Sequence, residues 1–217
     1  VRLHQHLITE LTEANLYKII DILEDKCFVY LNELSSKGRI NNLMYSGRKS
    51  NDSYMIKKIR KDREPKDSDQ KSHDMMDSLF NKKFGFKARS NVLFATGDIS
   101  TALSYGRIYT IWPVGQYKFI YSNHVTDLFD VLQRAKKIDT ITFIKLILHL
   151  LLNPKKGVEN KTVDYDKDKV NKILNTYKDD DIYKAINSGN EIMINCKEYV
   201  AISNPYTEKL IEYVNNR

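Results

Sequence analysis

What most limits the fold of this chain is the order in which its apolar periodicities change. A helical repeat fills residues 7–27, LITELTEANLYKIIDILEDKC, with Leu7, Leu11, Leu16, Ile19, Ile20 and Leu23 on one broad face. Phe28, Val29 and Tyr30 continue the apolar signal before SSKGRINN breaks it. Short strand-like runs then alternate with short helices, and the chain closes with EIMIN, YVAIS and the helical tail TEKLIEYVNN. Helices first, then strands mixed with helices, is an α+β order rather than a βαβ repeat. The expected architecture is a helical N-terminal region, 1–42, followed by a mixed β core over 43–217. That core ends in a C-terminal β-hairpin and helix, and the two regions pack as one compact unit.

Within the core, Leu43–Tyr45 reads as a strand ending at Ser46-Gly47. Residues 48–71 are almost wholly polar and read as a surface loop whose basic residues, Lys57, Lys58, Arg60, Lys61 and Arg63, can meet phosphate. SHDMMDSLFNKKF reads as a helix capped by Ser72. Val92–Phe94 reads as a strand, Thr96-Gly97-Asp98 as a turn, and Ser100–Tyr105 as a short helix capped by Asp98. Strands are expected at 107–113 and 117–122, helices at 125–136, 140–152, 169–175 and 180–186, and a loop at 153–168.

A chain of 217 residues is long enough to bury a real core. Lys and Arg number 35 against 28 acidic residues, and the net charge of +7 permits anionic partners without specifying them. No Lys/Arg stripe with interleaved aromatics marks a nucleic-acid surface. The two cysteines, Cys27 and Cys196, make no disulfide framework or zinc motif, and the five histidines have no metal-ligand spacing, so no metal is expected. The longest apolar run, 141–152, is interrupted by Lys145 and His149 and is too short to span a bilayer, so no membrane association is expected. No signal peptide is visible, but the chain starts at Val1, so that absence carries little weight. A soluble protein of a reducing compartment is the expectation.

P-loop, GxGxxG, HExxH and nucleophile-elbow motifs are absent. Three separated segments stand out instead: LMYSGRK at 43–49, LFATGDISTALSYG at 93–106 and GNEIMI at 189–194. In this order they resemble the mono-ADP-ribosyltransferase superfamily. There, a first strand carries Arg or His before Gly. A second has a Ser/Thr-rich turn and a short helix with Ala and an aromatic, and a late strand opens with the catalytic Glu. Gly47, Thr96, Ala102, Tyr105 and Glu191 match. Ser46 stands where Arg or His is usual, with Arg48 two positions late. Ala95 replaces a Ser, and Gly189 replaces the Glu or Gln that often precedes the catalytic residue. The stretches RSNVLFATG and YGRIYTIWPVG also resemble uncharacterised proteins of tailed bacteriophages.

The resemblance implies an enzyme that uses NAD as substrate. It implies Glu191 as the catalytic carboxylate and Gly47, Arg48, Thr96 and Tyr105 as NAD-binding residues. The acceptor would be a host or phage macromolecule, met in the host cytoplasm or in association with the virion. Arg89 is either a phosphate ligand or a salt-bridge partner. Trp112 is expected to pack beneath the strand ends, and Glu198 to sit in the hairpin turn. Two other functions remain open: an inactive module that keeps the fold, and nucleic-acid binding through 48–71.

Overall fold

The computed structural model describes residues 2–61, 63–64, 70–137 and 164–217. Two helices, α1 (Arg2–Lys26) and α2 (Phe28–Ser35), open the chain. They are separate because Cys27 leaves helical geometry, at φ −112° and ψ 18°, where its buried thiol meets the Trp112 carbonyl at 3.5 Å. After β1 (Tyr45–Arg48) and β2 (Tyr54–Lys58) comes α3 (Gln70–Phe84). Next are β3 (Leu93–Thr96), α4 (Ile99–Ser104), β4 (Arg107–Pro113), β5 (Lys118–Ser122) and α5 (Leu128–Ala135). Two-residue strands β6 (Lys136–Lys137) and β7 (Asp164–Tyr165) pair with each other. The remainder is α6 (Lys167–Thr176), β8 (Tyr177–Lys178), α7 (Ile182–Ser188), β9 (Glu191–Asn195), β10 (Glu198–Ser203), a 3-10 turn (Asn204–Tyr206) and α8 (Thr207–Asn215).

Among the described residues, eight strands form one antiparallel sheet in the order β2-β10-β4-β1-β3-β9-β5-β8. Helices and this antiparallel sheet together make a mixed arrangement of α and β elements. The expected C-terminal hairpin is not formed. β9 pairs with β3 and β5, whereas β10 pairs with β2 and β4. Both strands are buried along their middles, so each takes neighbours on both edges instead of its sequence neighbour.

That separation dictates the shape of the sheet. The link from Asn195 to Glu198 spans at most about 11 Å of trans chain. Four strand spacings in a flat sheet would need about 19 Å. The sheet therefore bends, and the place where it yields is the β1–β3 junction, held by the single pair Tyr45↔Thr96. Beyond that pair, Ser46–Arg48 and Leu93–Ala95 diverge.

The bend encloses the larger core. Leu23, Tyr30 and Leu34 of the first helices pack with Trp112 of β4, Ile192 and Ile194 of β9, and Val200 and Ile202 of β10. Residues from Leu16 to Ile40 thus contribute to the core of the sheet. Tyr30 sits edge-on to Trp112 at 5.5 Å and to Tyr117 at 5.8 Å, a favoured arrangement for ring quadrupoles. On the other face of the sheet, Met193 of β9 and Ile120 of β5 enter a second core built with Met76 and Phe80 of α3, Leu128 and Leu132 of α5, and Val170 of α6.

Three other expectations change. β1 begins at Tyr45 and runs through Arg48, so Ser46-Gly47 lies inside the strand and not at its end. The polar segment 48–71 contains β2, paired to β10 from Tyr54↔Ile202 to Lys58↔Glu198. As an edge strand it needs little apolar surface, and Lys57 and Lys58 blunt the open edge. Ser72 is buried inside α3 and is not its cap. The helix expected at 140–152 and most of the loop at 153–168 lie outside the described residues.

Candidate active site

Where the sheet splits, a cleft of about 500 Å³ opens. Such a volume suits a small ligand. One lip is Ser46, Gly47 and Arg48 of β1, backed by Thr101, Ala102 and Tyr105 of α4 and its cap. The other is Leu93–Thr96 of β3 with Glu191 of β9. His73, Arg89, Asp127 and the Arg63–Glu64 segment complete the wall. All five residues singled out from sequence, Gly47, Arg48, Thr96, Tyr105 and Glu191, line this one cleft.

Their positions follow from register. Thr96 is opposite both Tyr45 and Glu191, so β1, β3 and β9 are adjacent strands with the three segments side by side. Strand alternation sets Glu191 on the same face as Met193, and pairing sets Thr96 and Phe94 on that face too. Phe94 carries two guanidinium groups over its ring, Arg63 at 4.5 Å and Arg89 at 4.9 Å.

Glu191 is paired with Arg89, Oε1 to Nη1 at 3.3 Å, and about 22% of its side chain stays open to the cleft. Burial pushes its carboxyl up to about 7, with nearby Asp127 adding to the rise and Arg89 and Arg63 opposing it. Its backbone N–H donates to the Thr126 carbonyl at 3.4 Å, fastening the start of β9 to the segment that carries Asp127.

Thr96 acts within the protein. Its hydroxyl donates to the Gly189 carbonyl at 2.6 Å and accepts the Asp98 N–H at 3.0 Å. It thereby ties the turn after β3 to the residue that leads into Glu191. Asp98 caps α4 as expected, accepting from Ser100 N at 2.6 Å and Thr101 N at 3.1 Å. Gly189 ends α7 at φ +69°, a left-handed conformation in which a side chain is strained. The helix stop is what calls for glycine at that position.

Glycine at 47 has a packing role within the protein. A Cβ there would lie 2.2 Å from the Ala102 carbonyl and 2.7 Å from the Tyr105 backbone. The end of α4 fills that space, so glycine lets the helix seat on β1. Arg48 stacks over Tyr199 at 5.2 Å, and its Nε and Nη2 are buried with no hydrogen-bond partner among the described residues. Tyr105 is 67% exposed at the cleft edge. By contrast Tyr109 is buried and donates to the Asp52 carbonyl at 2.8 Å, and Trp112 packs under the sheet as expected. Glu198 starts β10 opposite Lys58, away from the cleft.

Sequence reading left out His73, Phe94 and Asp127 as site residues. It left out Asp77 as well, which is buried on α3 and accepts from Arg89 N at 2.6 Å and Ser90 N at 3.2 Å. Asp77 thus fixes the backbone that presents Arg89 to Glu191. A helical Asp four residues from a His is the one available signal, and it is common on solvated helices. Among the described residues no cluster of His, Cys, Asp and Glu suits a metal ion, and no helix is long and apolar enough to cross a membrane. Cys27 and Cys196 are free thiols.

Comparison with family models, with curated proteins and with solved structures gives no match.

Proposed function

We propose that this cleft binds NAD and that Glu191 catalyses transfer of ADP-ribose from it to a macromolecular acceptor. The observation that carries the reading is the convergence of Gly47-Arg48, Thr96 and Glu191 from three adjacent strands on one split in the sheet. In this reaction the bond between ribose C1′ and the nicotinamide nitrogen breaks, and its electron pair leaves with neutral nicotinamide. Positive charge develops on the ribose, and a nucleophile of the acceptor attacks C1′ and gives up its proton. A fixed carboxylate beside the ribose stabilises that charge as it forms. Glu191 is suited to this because Arg89 and the Thr126 carbonyl fix it while part of its surface meets the cleft.

The unpartnered nitrogens of Arg48 suit the NAD pyrophosphate. Tyr105 at the edge offers a ring to a base. Thr96 positions Glu191 through Gly189. The acceptor, of host or phage origin, would meet the outer rim of the cleft.

Glu191→Gln is expected to bind NAD with near wild-type affinity and to lose about a hundredfold or more in turnover. Calorimetry and transfer of labelled ADP-ribose to a cell extract measure the two. Wild-type turnover in that variant would remove the catalytic assignment. Wild-type protein that binds NAD but transfers nothing would favour a binding module.

A further inference from the structure

One wall of the cleft has a hydrogen-bonding function that the reaction above does not use. His73 of α3 is only 4% exposed and lines the cleft. Its Nε2 lies 3.0 Å from Ser90 Oγ and 3.7 Å from Asp77 Oδ2. Ser90 Oγ donates its own hydrogen to Asp77 Oδ2. A hydroxyl has one hydrogen, so Ser90 meets Nε2 as an acceptor and Nε2 carries the proton. In a neutral ring Nδ1 is then a bare acceptor. The ring is held neutral mainly by burial, with Arg89 and Arg63 acting the same way against Asp77 and Asp74. Nδ1 is buried and has no partner among the described residues.

Buried acceptors rarely stay unsatisfied, and this one belongs to a side chain that faces a cavity sized for a ligand. We propose that His73 is a ligand-binding residue, whose Nδ1 accepts a hydrogen bond from an N–H or O–H of the molecule in the cleft. The proposal rests on the NAD reading for the occupant. NAD offers such donors in its carboxamide, its ribose hydroxyls and its adenine amine. An ionised phosphate offers none. His73 and Arg48 would therefore take different parts of the ligand, its donors going to one and its phosphates to the other.

The test is NAD binding by calorimetry to the wild type, His73→Phe and His73→Asn, with thermal unfolding as a control. Phe keeps a ring and removes the acceptor, and Asn keeps an acceptor near the Nδ1 position. Phe should weaken NAD roughly fivefold, the worth of one neutral hydrogen bond, and Asn should restore most of it. Nitrogen NMR of the wild type needs no variant to fold. It should show Nδ1 unprotonated in the free protein and shifted when NAD binds. Equal affinity of the Phe variant, a protonated Nδ1, or an Nδ1 resonance unmoved by bound NAD would each overturn the proposal. Wild-type protein that does not bind NAD would remove the preceding reading, and this one with it.

Discussion

At the scale of single residues, the charge state of Glu191 bears on stability and, in the proposed reaction, on turnover. Its carboxyl titrates near 7 in the folded protein against an ordinary 4.5. The native state therefore holds the proton more tightly than the unfolded chain does. The resulting stabilisation is full below 4.5 and is lost as pH rises through 7. Above that, a buried carboxylate remains, opposed by Asp127 and relieved in part by Arg89. Glu191→Gln should accordingly be more stable than wild type at pH 8, by on the order of 2 kcal/mol, with the difference fading toward pH 4. Denaturant unfolding at the two pH values measures it. If Glu191 catalyses the proposed transfer as a carboxylate, kcat/KM for NAD should climb about tenfold per pH unit below 7 and level off above it. A flat profile from pH 5 to 8 would mean that ionisation of Glu191 in the free protein does not control the reaction.

The neighbours of Glu191 show how much one residue's role depends on its backbone. Gly189 reads in sequence as a lost catalytic partner, yet at φ +69° it is the residue that stops α7 and turns the chain into β9. Thr96 matches a polar position of the resembled family, and its hydroxyl holds that same turn.

At the scale of elements, the cleft depends on β1 leaving β3 after one pair and on α4 seating against β1. The glycine at 47 makes the second possible, since the Ala102 carbonyl lies where a Cβ would be. Gly47→Ala should push α4 off β1, cost about 1–3 kcal/mol and raise the KM for NAD. Melting temperature and steady-state kinetics check the two effects. An unchanged KM would show that the α4 wall does not touch the ligand. α4 was legible in the sequence because Asp98 is a good cap placed before Ser100 and Thr101. β2 was not, because an edge strand with Lys57 and Lys58 has the composition of a loop. Nor was the start of β1, because Leu43 and Met44 are buried just as a strand would bury them, while regular pairing begins one residue later.

At the scale of the whole molecule, the N-terminal helices and the sheet share one core, so they should unfold together. Leu23 is fully buried in that core from α1. Leu23→Ala should lower stability by about 2–5 kcal/mol while keeping a single cooperative transition. Circular dichroism of the helices and fluorescence of Trp112, a β4 residue packed against Tyr30, should report the same midpoint. Two separate midpoints would divide the chain near residue 42.

The sequence by itself determined the α+β order, most of the helices, strands β4, β5, β9 and β10, and the cap at Asp98. These follow from periodicity and local hydrogen bonding, which neighbours along the chain supply. It also singled out five residues that line one cleft. Only the tertiary structure decided that β9 and β10 part company, that the sheet bends at a single β1–β3 pair, and that Arg89 pairs with Glu191 in a cleft that His73 and Asp127 also line. Strand partners are chosen by burial on both edges and by the reach of short links. Residues far apart in the chain supply those, and no local pattern encodes them.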